Sequence, residues 1–325
     1  MSQNFSLSIE VMPPRLKSGD KNRIKNSFAL LKFNLLLTAC REFNPDFISV
    51  TYRTELDNDL FSARTSTRRF CGQVRERNMI AVPHLTAVGK RGYDAVDVAD
   101  EYYNDGMRSV LLLRGDLPEN GEFGLQYHDA HSLVNAVVHH RAKNDLPAHD
   151  TIYVAAQPQP ANKKWQPKTH WNYLRNKMQT ALLSAENSAA ITQICLDEDA
   201  FARFMLGMDS VNISPTRIIS SLLPIHAPPE RMRNFLETCE IPFERELAQA
   251  FKGQPDHETG AVRLMEKQIH RRQALGIHHF HLCSANSPRA LLLAGKALGL
   301  EFSESGGNAI QKLLALQRAA RPLVP

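Results

Sequence analysis

The stretch that decides the fold is residues 7–52, which opens with Leu-Ser-Ile-Glu-Val-Met at 7–12 and closes with Phe-Ile-Ser-Val-Thr-Tyr at 47–52. Both hexapeptides are rich in apolar and β-branched residues, a composition typical of buried strands. Between them, residues 21–42 carry apolar side chains at helical spacing. This order of strand, helix and strand predicts one βαβ unit with parallel strands.

The same alternation continues along the chain. Six further apolar runs predict strands at 80–85, 110–114, 152–157, 190–196, 218–224 and 279–284. Helices are predicted at 61–77, 95–105, 130–143, 171–186, 198–207, 230–238 and 257–275. Gly106 has the position of a glycine just after a helix, and Asp197 that of an N-cap. Eight strands with eight helices predict an α/β fold, a single (β/α)8 TIM barrel over residues 1–300.

Residues 301–325 are predicted to form a C-terminal helical extension. Within it, Ile310, Leu313 and Leu314 make an apolar stripe along a helix at 308–318. Such a stripe packs either on the barrel itself or on a partner chain. We also expect the protein to form a homo-oligomer.

Composition narrows the class of protein. The 325 residues are 43% hydrophobic and 22% charged without a low-complexity tract, which indicates a globular chain. The net charge of +5 is spread along the sequence, so we expect no nucleic-acid partner. The sequence holds no apolar run of membrane-spanning length and no apparent secretion signal, so we expect no membrane association.

Cysteine and histidine usage gives two further expectations. The five cysteines are far apart and form no Cys-x-x-Cys pair, which fits a reducing cytoplasm and argues against a disulfide framework. Although His278, His279 and His281 lie close in sequence, no carboxylate-histidine spacing beside them completes a familiar metal site. We therefore predict no bound metal.

Polar residues stand at the carboxyl ends of the predicted strands, the catalytic face of such barrels. Taken singly, each has a structural interpretation: a glutamate paired with an arginine, a core histidine, an ion pair at a turn. Their convergence on one mouth favours function. Because Glu10 lies between apolar Ile9, Val11 and Met12, we expect a raised pKa that suits a general acid. The convergent residues are Glu10, Thr51, His84, Arg114, Gly115, Asp116 and Gln193.

These motifs together resemble the methylenetetrahydrofolate reductase family, flavoprotein barrels that use FAD. The similarity covers about residues 5–300 in order. The matching pieces are Ser-Ile-Glu-Val-Met-Pro-Pro-Arg at 8–15, Ser-Val-Thr-Tyr at 49–52, Pro-His-Leu-Thr at 83–86, Arg-Gly-Asp-Leu-Pro at 114–118, Ala-Ile-Thr-Gln at 190–193, Leu-Pro-Ile at 223–225 and Gly-Ile-His-His-Phe-His at 276–281.

The resemblance implies reduction of 5,10-methylenetetrahydrofolate to 5-methyltetrahydrofolate, by ping-pong hydride transfer from NAD(P)H through FAD. Glu10 would be the acid that assists opening of the folate's five-membered ring, and Asp116 the carboxylate beside the flavin. Gln193, Phe235 and Asn286 match residues that meet folate or nicotinamide. The positions that match FAD contacts are Thr51, His84, Arg114, Gly115, Asp116, Gln157 and Lys177.

Two alternatives remain at this point. The first is a flavin and folate oxidoreductase of the same family with another electron donor or the reverse direction. It is prompted by Gln157 and by the loosely matched Phe235. The second is a non-catalytic folate- or flavin-binding subunit that docks on a partner through the C-terminal helix.

Overall fold

The computed structural model describes residues 5–16, 22–52, 63–90, 94–115, 123–125, 127–159 and 167–319. Eight parallel strands close into a barrel, as the sequence predicted, in the circular order β1-β2-β3-β5-β7-β8-β9-β10. Two short strands, β4 and β6, form a separate antiparallel hairpin. In chain order the strands are β1 (Ser6–Val11), β2 (Phe47–Val50), β3 (Ala81–Thr86), β4 (Val88–Lys90), β5 (Ser109–Leu113), β6 (Phe123–Leu125), β7 (His149–Ala156), β8 (Ala185–Thr192), β9 (Ile218–Leu222) and β10 (His279–Cys283).

The helices are α1 (Arg23–Arg41), α2 (Ala63–Arg75), α3 (Ala95–Asn104), α4 (Ala130–Lys143), α5 (Pro167–Ala181), α6 (Glu198–Ser210), α7 (Pro229–Thr238), α8 (Glu244–Phe251), α9 (His257–Ala274), α10 (Pro288–Ala297) and α11 (Glu304–Ala319). Helices α1 to α9 lie between the barrel strands along the chain, and α10 and α11 follow the last strand. The two predicted helix boundaries are confirmed: Gly106 adopts φ +82° after α3, and the Asp197 carboxylate accepts hydrogen bonds from two backbone N–H groups of α6.

Other predictions were incomplete. The helix expected at 171–186 begins and ends earlier, because β8 already starts at Ala185. The helix at 257–275 is not the eighth outer helix, since α7, α8 and α9 all lie between β9 and β10. The eighth is α10, which the sequence analysis missed although Ser287 caps it and Pro288 opens it, a typical helix start. The β4–β6 hairpin was also missed.

Side chains alternate between two layers along each strand. On β1, Leu7, Ile9 and Val11 belong to the large core between the barrel and its helices. Ser8 and Glu10 face the opposite way, into the barrel. Apolar residues from other strands also point into the interior: Phe47, Val82, Leu111, Ile191 and Ile219. Polar and apolar side chains adjoin there, since Phe47 is in register with Ser8 and stacks on the His281 ring, with ring centroids 6.0 Å apart.

The C-terminal helix α11 packs on α1 and α10. Ile310 and Leu313 are buried in the same core as the barrel helices. The Glu42 carboxylate at the end of α1 accepts hydrogen bonds from the backbone N–H and the hydroxyl of Ser303, just before α11, at 2.8 and 2.9 Å. The apolar stripe thus lies against the barrel itself. It is therefore not free to dock on a partner chain, as the second alternative required. No helix among the described residues is long and apolar enough to cross a membrane.

A buried arginine ties α9 to strand β9, to helix α6 and to the segment that follows β8. The Arg272 guanidinium is fully buried and donates to Ser220 Oγ at 2.6 Å, to the Ser221 carbonyl at 2.9 Å and to Glu198 Oε1 at 2.9 Å. It also donates to the Cys195 carbonyl. Because the charge is buried and paired, removing it leaves both a buried carboxylate and carbonyls without partners.

We expect Arg272→Met to lower the free energy of unfolding by about 3–5 kcal/mol, the cost of breaking one side of a buried ion pair. Urea unfolding measures this change. The matched control is Arg271→Met, since the neighbouring Arg271 is 53% exposed and lies 3.8 Å from Asp199. That exposed pair should contribute less than about 1 kcal/mol. Equal small losses in both variants would show that the Arg272 network is not a stabilising tie.

Candidate active site

The carboxyl ends of the strands gather most of the residues that the sequence analysis selected. Glu10 is in register with Ser49 on one side and Cys283 on the other. His84 and Thr86 end β3, and Arg114 and Gly115 follow β5. Gln157 and Gln193 follow β7 and β8, and the Gln193 backbone N–H donates to the Ala156 carbonyl at 2.6 Å. Asp116 lies outside the described residues, so its role stays a prediction.

Glu10 has the raised pKa that the sequence analysis expected, but for a different reason. Ile9 and Val11 point outward into the helix layer, so they do not surround the carboxyl group. Burial inside the barrel raises the pKa of Glu10 from 4.5 to about 7. Its side chain keeps 27% of its surface accessible, so a molecule at the mouth can reach it. A carboxyl group with this pKa can give or take a proton near neutral pH.

Two buried histidines face Glu10 without forming an ion pair with it. His84 Nε2 lies 3.9 Å from Glu10 Oε2 and is buried with no hydrogen-bond partner among the described residues. His281 Nδ1 lies 2.8 Å from Ser8 Oγ, and its Nε2 lies 3.3 Å from Ser49 Oγ. Burial lowers the pKa of each imidazole to about 3, so both are neutral at physiological pH. Neutral rings do not stabilise the Glu10 carboxylate as cations would.

Thr51 and Gly115 lie at the mouth of the barrel, where a flat ligand can approach them. The Thr51 hydroxyl is buried and has no hydrogen-bond partner among the described residues. Gly115 adopts φ +79°, and a Cβ there would lie 2.8 Å from the Cβ of Thr86. Only glycine fits this position without movement. Beside it, the Arg114 side chain is exposed, with Nε donating to the Gly115 carbonyl at 3.2 Å.

Lys177 reaches the same end of the barrel from α5. Its ammonium group is buried and donates to the Ala155 carbonyl at 2.6 Å. Burial lowers the pKa of Lys177 to about 8, with a smaller opposing effect of the Asp129 carboxylate. Gln157 is exposed, and its carbonyl lies 2.9 Å from His170 Nε2. Contacts of Lys177 and Gln157 with a cofactor stay predictions.

The three predicted substrate residues outside the centre differ in their surroundings. Gln193 is exposed and its Oε1 accepts the Ile194 N–H at 3.0 Å. The side-chain amide of Asn286 is hydrogen-bonded to the backbone of Met12. Its Oδ1 accepts from the Met12 N–H at 2.9 Å, and its Nδ2 donates to the Met12 carbonyl at 2.7 Å. It therefore holds the segment after β1 in place. Phe235 is 36% exposed on α7.

The sequence analysis missed His281, Cys283, Ser8 and Ser49 as parts of the site. All four side chains line the barrel interior next to Glu10 or one layer below it. The available signal was the period of two in His-x-His-x-Cys at 279–283, which places all three side chains on one face of a strand. That face could be recognised as the interior one only after β10 was paired with β1.

Comparison with known proteins matches this chain to a family of enzymes. The model of the methylenetetrahydrofolate reductase family matches residues 1–299. The 5,10-methylenetetrahydrofolate reductase of Escherichia coli (strain K12) is 26% identical over 290 residues, which cover 87% of this chain and 86% of that protein. The enzyme of the same name from Buchnera aphidicola subsp. Acyrthosiphon pisum is 24% identical over 291 residues, which cover 87% and 88%. The family match thus spans α1–α10 and ends before α11.

The burial of Glu10 predicts a pH-dependent stability. Because the pKa is about 7 in the folded chain and 4.5 for the side chain in water, the folded state holds a proton that the unfolded state releases between these pH values. The stabilisation from the protonated carboxyl group is present below pH 4.5 and is lost as the pH rises through 7. Relative to Glu10→Gln, the wild type should lose up to about 3 kcal/mol across this window.

Urea unfolding of both proteins at pH 5 and pH 8 measures the difference. Glu186→Gln, at an exposed position on β8, controls for the loss of a carboxylate. If the difference in free energy of unfolding between the wild type and Glu10→Gln is the same at both pH values, the burial of Glu10 is contradicted.

Proposed function

The chain belongs to the methylenetetrahydrofolate reductase family, and from this we propose that it reduces 5,10-methylenetetrahydrofolate to 5-methyltetrahydrofolate. One observation carries the proposal beyond the family match. The Glu10 carboxyl group sits at the barrel mouth with a pKa of about 7 and with two neutral imidazoles around it. Reduction of this folate needs a proton donor at the ring nitrogen as well as a hydride, and the raised pKa of Glu10 supports it as that donor.

The residues at the mouth fit a flavin. Thr51 Oγ1 and His84 Nε2 are buried polar atoms that lack hydrogen-bond partners in the described part of the chain, and a ligand with polar ring edges would satisfy them. Gly115 allows a planar ring system to approach the backbone closely. Bound FAD would supply the redox group that carries a hydride from a nicotinamide donor to the folate. We propose Thr51, His84, Arg114 and Gly115 as its main contacts, with Asp116 beside them.

Glu10 acts by holding a proton that the folate nitrogen takes as the five-membered ring opens. Burial keeps the carboxyl group largely protonated just below neutral pH, whereas an exposed glutamate would already be ionised. The neutral His84 and His281 preserve this state because they bring no positive charge to the carboxylate. After proton transfer, the carboxylate regains a proton once per turnover.

The remaining proposed contacts are those with the nicotinamide donor and with the anionic parts of the ligands. Arg114 is an exposed cation at the mouth, suited to a phosphate or to the anionic tail of a folate. Phe235 on α7 offers an exposed aromatic face, and we propose it as the surface against which a nicotinamide stacks. Gln193, also exposed, is proposed to contact the folate or the nicotinamide. We propose NADH or NADPH as the donor.

Glu10→Gln should separate the two half-reactions. Without the proton donor, we expect reoxidation of the reduced flavin by methylenetetrahydrofolate to slow by about 100-fold or more, the usual contribution of a general acid. Flavin reduction by the nicotinamide donor should be nearly unchanged, because that step takes no proton from Glu10. Anaerobic stopped-flow absorbance follows both steps. Wild-type protein whose reduced flavin persists after folate is added would overturn the proposed function.

Gly115→Ala should lower flavin content. A methyl group there meets Thr86 and must adopt the left-handed region, so the wall of the proposed flavin site shifts. The flavin-to-protein absorbance ratio of the purified variant measures the effect. Gly106→Ala is the matched control, because Gly106 also has positive φ, +82°, but follows α3 at the opposite end of the barrel. Equal flavin loss in both variants would attribute the effect to general destabilisation.

A further inference from the structure

Cys283 is a half-buried thiol that the proposed reaction does not use. It lies on β10, two residues after His281, so both side chains point into the barrel. One donor atom from each of Glu10, His281 and Cys283 lies within 4.8 Å of the other two. His84 Nε2 is 3.9 Å from Glu10 Oε2 and is a 94% buried side chain whose ring nitrogen has no partner in the described part of the chain.

We propose that these residues form a site for one thiophilic divalent cation of the zinc class, with Glu10, His281 and Cys283 as ligands and His84 as the fourth. A carboxylate oxygen, two imidazole nitrogens and a thiolate sulfur are all ligands that zinc takes in tetrahedral sites. With metal–ligand distances of about 2.0–2.3 Å, ligand atoms lie roughly 3.3–3.8 Å apart, so the observed cluster needs to close by about 1 Å.

The surroundings of His281 suit a metal ligand. Its Nδ1 is held by Ser8 Oγ at 2.8 Å, whereas Nε2 has only the longer 3.3 Å contact with Ser49 Oγ. A hydrogen bond to one ring nitrogen fixes the ring and directs the other nitrogen toward a cation. Burial also leaves both imidazoles neutral, with pKa values of about 3, so their lone pairs are available without loss of a proton.

Charge balance favours the exchange of protons for a cation. Without a metal, the Cys283 thiol is protonated, because burial and the Glu10 carboxylate raise its pKa well above the ordinary value, and Glu10 is largely protonated below pH 7. Binding releases both protons: M²⁺ + RCOOH + RSH gives M(RCOO)(RS) + 2 H⁺. One buried dication therefore replaces two protons, and the net charge of the interior does not change.

Occupation of this site would take Glu10 out of proton transfer, since its carboxylate would be bound to the cation, and would withdraw His84 Nε2 from the proposed flavin. The site itself depends only on the residues present, and its spectroscopic test does not require folate turnover. Metal binding can therefore be measured even if the protein does not reduce the folate. Likewise, folate reduction can be measured even if no metal binds.

Titration of the purified full-length protein with Co²⁺ tests the site, because a cobalt–thiolate bond gives a near-ultraviolet charge-transfer band. We expect a band that saturates at one equivalent, disappears when Zn²⁺ is added, and is accompanied at pH 6 by release of about two protons per cation. Cys283→Ala should abolish the band. Two controls, Cys40→Ala in the outer core and Cys239→Ala at a half-buried thiol, should retain it.

Circular dichroism verifies that each variant is folded. If the wild type gives no thiolate band, or if Cys283→Ala retains it, the proposed site is wrong; loss of the band in Cys239→Ala alone would equally overturn it. As a functional readout, Zn²⁺ should suppress folate reduction in the wild type. The ratio of turnover with and without Zn²⁺ should rise toward one in Cys283→Ala.

Discussion

The burial of the Glu10 carboxyl group inside a closed barrel is the constraint on which the site depends. Because strand side chains alternate, placing Ile9 and Val11 in the helix layer forces Ser8 and Glu10 into the interior. Parallel pairing with β2 and β10 then brings Ser49 and Cys283 into register with Glu10. A shift of one residue would turn the carboxyl group outward and expose the apolar side chains, so the outer core fixes the position of the acid.

The two imidazoles next to the buried Glu10 carboxyl group are uncharged. Desolvation raises the pKa of Glu10 and lowers those of His84 and His281, and each shift favours the neutral form. No buried ion pair forms between them, although His84 Nε2 is only 3.9 Å from Glu10 Oε2. A protonated imidazole there would stabilise the carboxylate and remove the proton needed near neutral pH. Apolar residues inside the barrel, among them Phe47 and Ile219, contribute to the low polarity that produces these shifts.

Much of the fold followed from sequence because apolar period and strand composition are local signals. All eight barrel strands, the cap at Asp197 and the glycine after α3 were predicted from short windows. Helix α8, the β4–β6 hairpin and α10 were not, since each is a short insertion or an element whose start signal, Ser287-Pro288, was overlooked. The raised pKa of Glu10 was predicted correctly, but its neighbours were taken from adjacent residues in the chain. The actual ones come from β2, β3 and β10.

The sequence by itself determined the barrel, the parallel direction of its strands and the raised pKa of Glu10, because each was read from residue patterns within single strands and helices. Only the tertiary structure decided which side chains meet Glu10, since His84, His281 and Cys283 are distant in sequence and converge through closure of the sheet. It also decided that Asn286 clamps the backbone of Met12 and that α11 covers its own barrel. Both are long-range contacts between the two ends of the chain, and no local pattern specifies them.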